Sequence, residues 1–379
     1  GEAVLYIAFL DRGIDGWGAS DFVKISTRSG QVNNPNGLGS PGVVDVDGDF
    51  IADYIYAGDL EGNLWKFDVS GSSPGSWGVD FGGQPLFEAI SESGSPQPII
   101  ERPGAVLHPT GGDNGILVTF GTGKFIENSD RTTENQTTQS VYAIWDIDAS
   151  PSVESNDHGF SRDQLAEVRF AENSGFRIRS EDSAVPVWFN EDNQPQDRGW
   201  FVDLPLDGER VIEPVLIRSN TLFFVTLIPN SNPCAAGGNG FLIGLDARNG
   251  SVPVSPLFDI NGDNDFDEGD LLGSGNDIVP IGLPTGSIPN LPVVIFDRRS
   301  FCERNPGHPN CQGGGGGGGT GGGNGPQPPF PPPLNAPRVC GGNNDRALLY
   351  TTQSNGSIIT TTADAGSVQC GRQGWRQLR

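Results

Sequence analysis

Apolar and polar positions alternate in short runs along this chain, and glycine, proline or an Asp/Asn turn cuts each run. That two-residue period predicts strands. Residues 3–10 (AVLYIAFL) form a first apolar strand, and 21–27 (DFVKIST) form a second that turns at Arg28-Ser29-Gly30. The chain then runs through Val43 and Val44 into an acidic loop. Beyond it, 54–57 (YIYA) and 63–69 (NLWKFDV) alternate on either side of an Asp59–Asn63 turn. In the second of these, Leu64, Lys66 and Asp68 share one face, and Trp65, Phe67 and Val69 the other. Further strands are predicted within 115–120, 140–150, 199–205, 209–217, 221–229, 238–250 and 346–362.

The unit recurs. Residues 62–71 and 238–250 both run from a Gly-Asn start through an apolar strand to an aspartate and a closing glycine. A strand pair of this kind cannot bury both faces alone, so repeated units must pack face to face around an axis. This predicts an all-β fold, a modified β-propeller forming one domain over 1–379. Two stretches interrupt it. Residues 150–198 are polar and acidic, with a short helix predicted near Arg162–Val168, and 312–333 (a glycine run, then a proline run) read as a flexible linker. The strand-like tail beyond the linker is expected to rejoin the ring, and pairing the last blade with strand 3–10 would remove exposed edges.

Composition narrows the function classes. The 56 glycines and 30 prolines exclude a helix-dominated protein. A net charge of −24, from 47 acidic and 23 basic residues, argues against nucleic acid or an anionic membrane as partner. Much of that charge reads as a solvated surface, but its local clusters need their own account. No uninterrupted apolar run is long enough to span a membrane. The chain has no methionine and begins with glycine, which predicts a fragment or processed segment. Its five cysteines (Cys234, Cys302, Cys311, Cys340, Cys370) form no CxxC pair. Two disulfides in an exported protein, with Cys234 left over, is the preferred reading, and reduced core cysteines in a cytosolic protein is the alternative.

Two acidic loops carry the candidate chemistry. The first offers Asp45, Asp47, Asp49 and Asp53 at relative positions 1, 3, 5 and 9, with the Ile51 carbonyl at position 7. This is the opening of an EF-hand-like calcium loop. Carboxylates this close raise one another's pKa, and a hard cation removes that cost; the plainer alternative is a solvated Asp-rich turn. Position 6, where the loop turns with positive φ and glycine is usual, is Phe50, with the glycine displaced to Gly48. The second loop, 259–270, offers Asp259, Asn261, Asp263, Asp265 through its carbonyl, Asp267 and Asp270, with Asn264 at position 6. Other motifs are weak. GLGSPG (37–42) has Pro41 and no following helix, GTGK (121–124) lacks the rest of a phosphate loop, and His108, His158 and His308 read as exposed loop histidines. No catalytic constellation is found.

Several segments together resemble a known family: NPNGL (34–38), VDVDGDFIADYIYAGDLEGNLWKFDVSG (44–71), VTFGTGKFIE (118–127), QSVYAIWD (139–146), GWFVDLPLDGERV (199–211), FFVTLIPNSNPC (223–234), GGNGFLIGLD (237–246), FDINGDNDF (258–266) and GRQGWRQLR (371–379). In this order they resemble the C-terminal domain of PilY-type (PilC-class) type IV pilus tip-associated proteins. The resemblance implies a seven-bladed modified propeller, a separate N-terminal adhesive domain, and Ca²⁺ held by Asp45, Asp47, Asp49, the Ile51 carbonyl and Asp53. It further implies an extracellular place at the pilus tip, reached through the periplasm, with minor pilins as partners and a host or abiotic surface bound through the other domain. In the family, calcium opposes pilus retraction and supports twitching motility. An integrin-type RGD tripeptide is absent here. The competing readings are a calcium-stabilised structural propeller and a quinoprotein-like dehydrogenase, suggested by AGDLEGNLWKFDVSG but lacking vicinal cysteines.

Overall fold

The computed structural model describes residues 1–12, 16–150, 157–218, 220–230, 237–253, 256–263, 266–275, 277–290, 292–296, 346–355 and 357–364. Among them are 22 strands in five sheets, a few single 3-10 turns and no α-helix. Strands β1 (Val4–Ala8) and β2 (Phe22–Ser26) form an antiparallel pair. The next sheet runs β3 (Gly42–Val44), β4 (Tyr54–Gly58), β5 (Asn63–Asp68), β6 (Gly78–Val79), with β7 (Phe87–Glu88) also on β5. A third, ordered β11-β14-β10-β9-β8, contains β8 (Gly104–Leu107), β9 (Ile116–Gly121), β10 (Ser140–Asp146), β11 (Ala166–Val168) and β14 (Gly199–Asp203).

The fourth sheet is ordered β12-β13-β19-β18-β16-β15. It holds β12 (Phe170–Asn173), β13 (Phe176–Arg179), β15 (Leu216–Arg218), β16 (Thr221–Val225), β18 (Gly238–Asp246) and β19 (Pro280–Thr285), and the short β17 (Ile228–Pro229) also pairs with β18. The last is β20 (Val293–Phe296), β21 (Arg346–Thr352) and β22 (Ile358–Asp364).

These sheets stack in chain order because their strands are apolar on both faces. In β5, Trp65 and Phe67 point toward Leu5 and Ile25 of the β1–β2 pair, while Leu64 points toward Ile116, Val118 and Tyr142. In β10, Tyr142 and Ile144 face back to that core, and Val141 and Ala143 face forward to Leu222 and Phe224 of β16. Phe223 and Val225 then meet Leu349 of β21 across the next junction. Each junction is thus a separate core between neighbouring sheets, the arrangement of blades in a propeller. Strands buried on both sides explain why 140–146 and 221–225 read as near-continuous apolar runs.

One charged residue crosses the first junction. Lys66 lies fully buried on the Leu64 face of β5, with Nζ 3.0 Å from Asp146 Oδ2 and 3.3 Å from Asp80. Tyr56 donates its hydroxyl to the same aspartate at 2.5 Å, and the Tyr54 ring lies 4.1 Å from the ammonium. Asp146 also accepts from the Asp148 and Ala149 amides, so both of its oxygens are engaged. At the second junction Arg177 of β13 is likewise buried, on Glu209 at 3.0 Å and Glu172 at 3.1 Å.

Three expectations change. The helix predicted near Arg162–Val168 is a single 3-10 turn, Arg162–Gln164, followed at once by β11. Gln164 accepts from the Ser161 amide to start the turn, but Leu165, Ala166 and Val168 are buried, and the pairing of Ala166–Val168 with β14 ends it. The chain beyond the linker does not pair with strand 3–10 within the described residues: β1 takes β2, the nearer partner in sequence, and β22 takes β21. His108 is not exposed. It is 2% accessible, stacked 4.3 Å from the Trp145 ring and edge-on to Trp188 at 4.6 Å. All five cysteines, His308 and the 312–333 linker lie outside the described residues.

Asp146→Ala should cost about 3–5 kcal/mol in urea unfolding, because it strands a buried ammonium and a buried phenol. A loss within 1 kcal/mol, roughly the value of an exposed pair, would mean that Lys66 is not held as described. His108 gives a pH test. Burial lowers its pKa to about 4, against about 6.5 unfolded. The unfolded chain therefore binds the proton first, so this contribution is fully present above pH 6.5 and is lost as pH falls toward 4. At pH 5 the loss relative to pH 7.5 should be about 2 kcal/mol. His108→Phe should remove that part of the slope, and parallel profiles for the two proteins would exclude it.

Candidate metal centre

The first acidic loop is the connection between β3 and β4, whose register ends at Val44↔Tyr54. Its neck is closed by Asp53. The Asp53 amide donates to Val44 O at 2.9 Å, its carbonyl accepts from Val69, and its Oδ2 accepts from the Val46 amide at 2.7 Å. Above the neck each remaining aspartate holds backbone a few residues on, the habit of Asx turns. Asp45 accepts from the Gly48 amide (2.6 Å) and the Phe50 amide (3.1 Å), Asp47 from Asp49 (2.9 Å), and Asp49 from Ile51 (2.7 Å). These bonds gather Asp45, Asp47 and Asp49, one carboxylate oxygen from each lying within 4.8 Å of the others. Asp53 is not in that group.

The neck carboxylate bears an electrostatic cost. Burial pushes the Asp53 carboxyl above its usual range, and the nearby Asp47 and Asp45 charges add to this, against amide hydrogen bonds that lower it. The donor set is all hard oxygen, and three carboxylates converge on one point. That chemistry fits Ca²⁺ or Mg²⁺ and not a soft metal. The backbone reverses twice in the left-handed region, at Gly48 (φ 84°) and at Phe50 (φ 77°). A phenylalanine therefore occupies a conformation that costs a side-chain-bearing residue roughly 1–2 kcal/mol.

The second acidic loop follows the same plan. Asp259 accepts from the Gly262 amide at 2.7 Å, as Asp45 does from Gly48. Asp270, wholly buried, accepts from the Ile260 amide at 2.8 Å and the Asn261 amide at 3.3 Å, as Asp53 does from Val46. The neck residue thus sits at position 9 in one loop and at position 12 in the other. Burial raises the Asp270 carboxyl also. Asn261 accepts from the Asp263 amide and gives its side-chain amide to Asp263 at 3.0 Å, while Asp267 caps the 3-10 turn Glu268–Asp270. Asn264 and Asp265 lie outside the described residues. The neck roles of Asp53 and Asp270 were not visible in the spacing. The shared signal is a carboxylate whose acceptor bonds run to the residue after the loop's first aspartate.

Elsewhere the weak motifs dissolve. GLGSPG is an extended segment that leads into β3, with Gly39 and Ser40 bonded to Gly58 O and Ile100 O. Lys124 of GTGK is paired with Asp130 at 3.0 Å. A cleft of about 850 Å³ between the second and third sheets contains Arg162, but its guanidinium is already taken by Asp203, the Tyr142 hydroxyl and the face of Phe201.

Comparison with known proteins agrees with this architecture. Residues 2–176 match the family model of the PilY1 beta-propeller domain. The type IV pilus biogenesis factor PilY1 of Pseudomonas aeruginosa PAO1 is 35% identical over 262 residues, covering 61% of this chain and 22% of the relative. A PilY1 homolog of Xylella fastidiosa is 28% identical over 417 residues, covering 100% of this chain and 24% of the relative. The chain therefore spans about a quarter of the length of these relatives. The crystal structure of the P. aeruginosa PilY1 C-terminal domain superposes with a TM-score of 0.62 at 28% identity, over 73% of this chain and 60% of the other.

The strain at position 50 is measurable without any ion. Phe50→Gly should raise the unfolding free energy by about 1 kcal/mol in chelator. Unchanged or lower stability would show that the loop does not hold Phe50 in this conformation.

Proposed function

We propose that this PilY1-type β-propeller serves a type IV pilus as a non-enzymatic, calcium-responsive part of the pilus tip. Its place in the cell would be extracellular, with minor pilins as partners and with surface adhesion carried by a further domain. The relatives' names supply the pilus connection, and one observation carries the calcium reading: Asp45, Asp47 and Asp49 converge on a single point above a closed neck. When bound, the ion supplies charge neutralisation and crosslinks the loop. The chain's own part is to hold three carboxylates in place through the amides of Gly48, Asp49, Phe50 and Ile51. With the Ile51 carbonyl and Asp53 as further candidate ligands, this loop is the proposed regulatory one. Loop 259–270, with Asp259, Asn261, Asp263, Asp265, Asp267 and Asp270, is the proposed second site.

Regulation of pilus extension and twitching is favoured over a purely structural ion because the converging carboxylates lie outside the junction cores: Asp47 and Asp49 are exposed and no core cluster includes them, although Val46 and Ala52 of the same loop pack against two of the cores. Removing the ion should therefore leave the blades packed.

Calcium should raise the thermal midpoint of the domain, and Asp45→Ala combined with Asp49→Ala should abolish most of that rise. An undiminished rise would remove calcium from this loop. In cells the same double variant should alter piliation or twitching while the purified domain keeps its unfolding midpoint in chelator. A domain that unfolds instead would favour the structural reading.

A further inference from the structure

Lys66 is a primary amine held in direct contact with a carboxyl group. Its Nζ lies 3.0 Å from Asp146 Oδ2 and 3.3 Å from Oδ1, and both side chains are fully buried. The carbon that carries the two oxygens therefore faces the amine, at the separation from which bound groups react. The Tyr54 and Phe81 rings flank the nitrogen at 4.1 and 5.1 Å. Such an enclosure narrows the gap between the charged pair and its neutral form, an amine and a carboxylic acid, which differ by one proton moved between the two side chains.

The groups around this pair are those that an acyl transfer needs. Asp146 Oδ1 accepts from the amides of Asp148 (3.1 Å) and Ala149 (3.2 Å), two donors set where charge gathers in a tetrahedral intermediate. Oδ2 accepts from the Tyr56 hydroxyl at 2.5 Å, an acid for a departing oxygen. Asp80 Oδ2 lies 3.3 Å from the nitrogen, a base for the amine. Its other oxygen accepts from the Phe81 amide at 2.8 Å, which fixes its direction. A structural ion pair needs only the first contact. Here nucleophile, electrophile, oxyanion donors, acid and base share one site.

We propose that Lys66 and Asp146 condense into an isopeptide bond that joins β5 to β10 across the first junction. The ion pair is the geometry that precedes it. One ammonium proton passes to Asp146 Oδ2, the freed amine attacks Cγ, and Oδ1 takes up the negative charge between the two amides. Asp80 removes the second proton from the nitrogen as the Cγ–Oδ2 bond breaks, and Tyr56 protonates the departing hydroxide. The water so formed relays the proton from Asp80 back to the tyrosine oxygen and leaves. One water is lost, nothing is oxidised or reduced, and no cofactor takes part. The two carboxylates favour the ammonium, which slows the reaction without preventing it, because the bond has to form only once per molecule. The product replaces two buried charges with a neutral amide and so removes their desolvation cost. The buried Arg177–Glu209 pair at the next junction cannot follow, because a guanidinium does not give up its proton.

The test is peptide mass spectrometry of the full-length protein from its own bacterium. Trypsin should fail to cut at Lys66 and should release residues 29–124 joined to 132–162, lighter than the two together by one water. Fragment ions should place the branch at Lys66 and Asp146. Separate peptides 29–66, 67–124 and 132–162 at full mass would overturn the proposal, as would a loss of water confined to one of them. Lys124, 3.0 Å from Asp130 but 25% exposed, is the control in the same digest and should stay unlinked. In Asp80→Asn the side chain still accepts from the Phe81 amide but the base is gone. Linkage followed after a pulse of synthesis should then slow about a hundredfold. An unchanged rate would overturn the chemistry assigned to this site.

Discussion

Lys66 has no water to fall back on. It is buried between the first two large sheets, and its charge survives only because Asp146 arrives from the neighbouring blade at 3.0 Å and Asp80 from its own at 3.3 Å. Burial alone would lower the ammonium's pKa, but the two carboxylates outweigh it and hold it above the ordinary value. Such a pair adds little net stability relative to an apolar substitute, yet it penalises heavily any register that separates its members. The apolar residues around it, Leu64, Ile116, Tyr142 and Ile144, could interdigitate in more than one alignment. The Tyr56–Asp146–Lys66 set is satisfied in one. The buried Arg177–Glu209 pair does the same kind of work one junction further on.

Much of the fold was legible because the period-two signal is local. The strands at 3–10, 54–57, 63–69, 140–146 and 238–246 follow from side-chain alternation or from unbroken apolar runs, and the two faces assigned in 63–69 are those observed. The acidic loop was legible for the same reason, since its bonds span two to seven residues. What failed was long-range. Lys66 reads as an ordinary strand lysine until Asp146, eighty residues away, is placed beside it. His108 reads as a loop histidine until Trp145 and Trp188 enclose it. Strands β11 to β13 have only three or four residues each, too few to raise a period above the polar background of 150–198.

The two acidic loops show how a recognisable spacing can hide a division of labour. Both were read as rows of ligands counted from the first aspartate. In the fold, the last carboxylate of each row turns back to the chain and closes the neck, at position 9 in one and position 12 in the other. Position number is therefore a poor guide to role in loops that have lost the flanking helices of an EF-hand. The useful measure is which amides a carboxylate has already accepted. Asp45, Asp47 and Asp49 each have at least one oxygen tied to an amide and still converge.

This geometry bears on how an ion in the first loop could be felt elsewhere. Asp53 closes the neck, and Tyr54, the next residue, lies against the Lys66 ammonium, so a continuous line of contacts leads from the loop to Asp146 and the second blade. That line is poorly suited to carry a switch. Transmission needs an element with two comparable arrangements. Here the far end is buried, charged and fully bonded, and displacing it would uncover an unpaired charge. The soft part is the exposed tip, where the chain holds Phe50 against its own backbone preference. An ion that binds the three carboxylates above the neck acts on the residues between and beside them, which include Phe50 and Ile51. Its effect is therefore best expressed at the surface, as a change in how the tip is presented, with the blades beneath serving as a rigid mount.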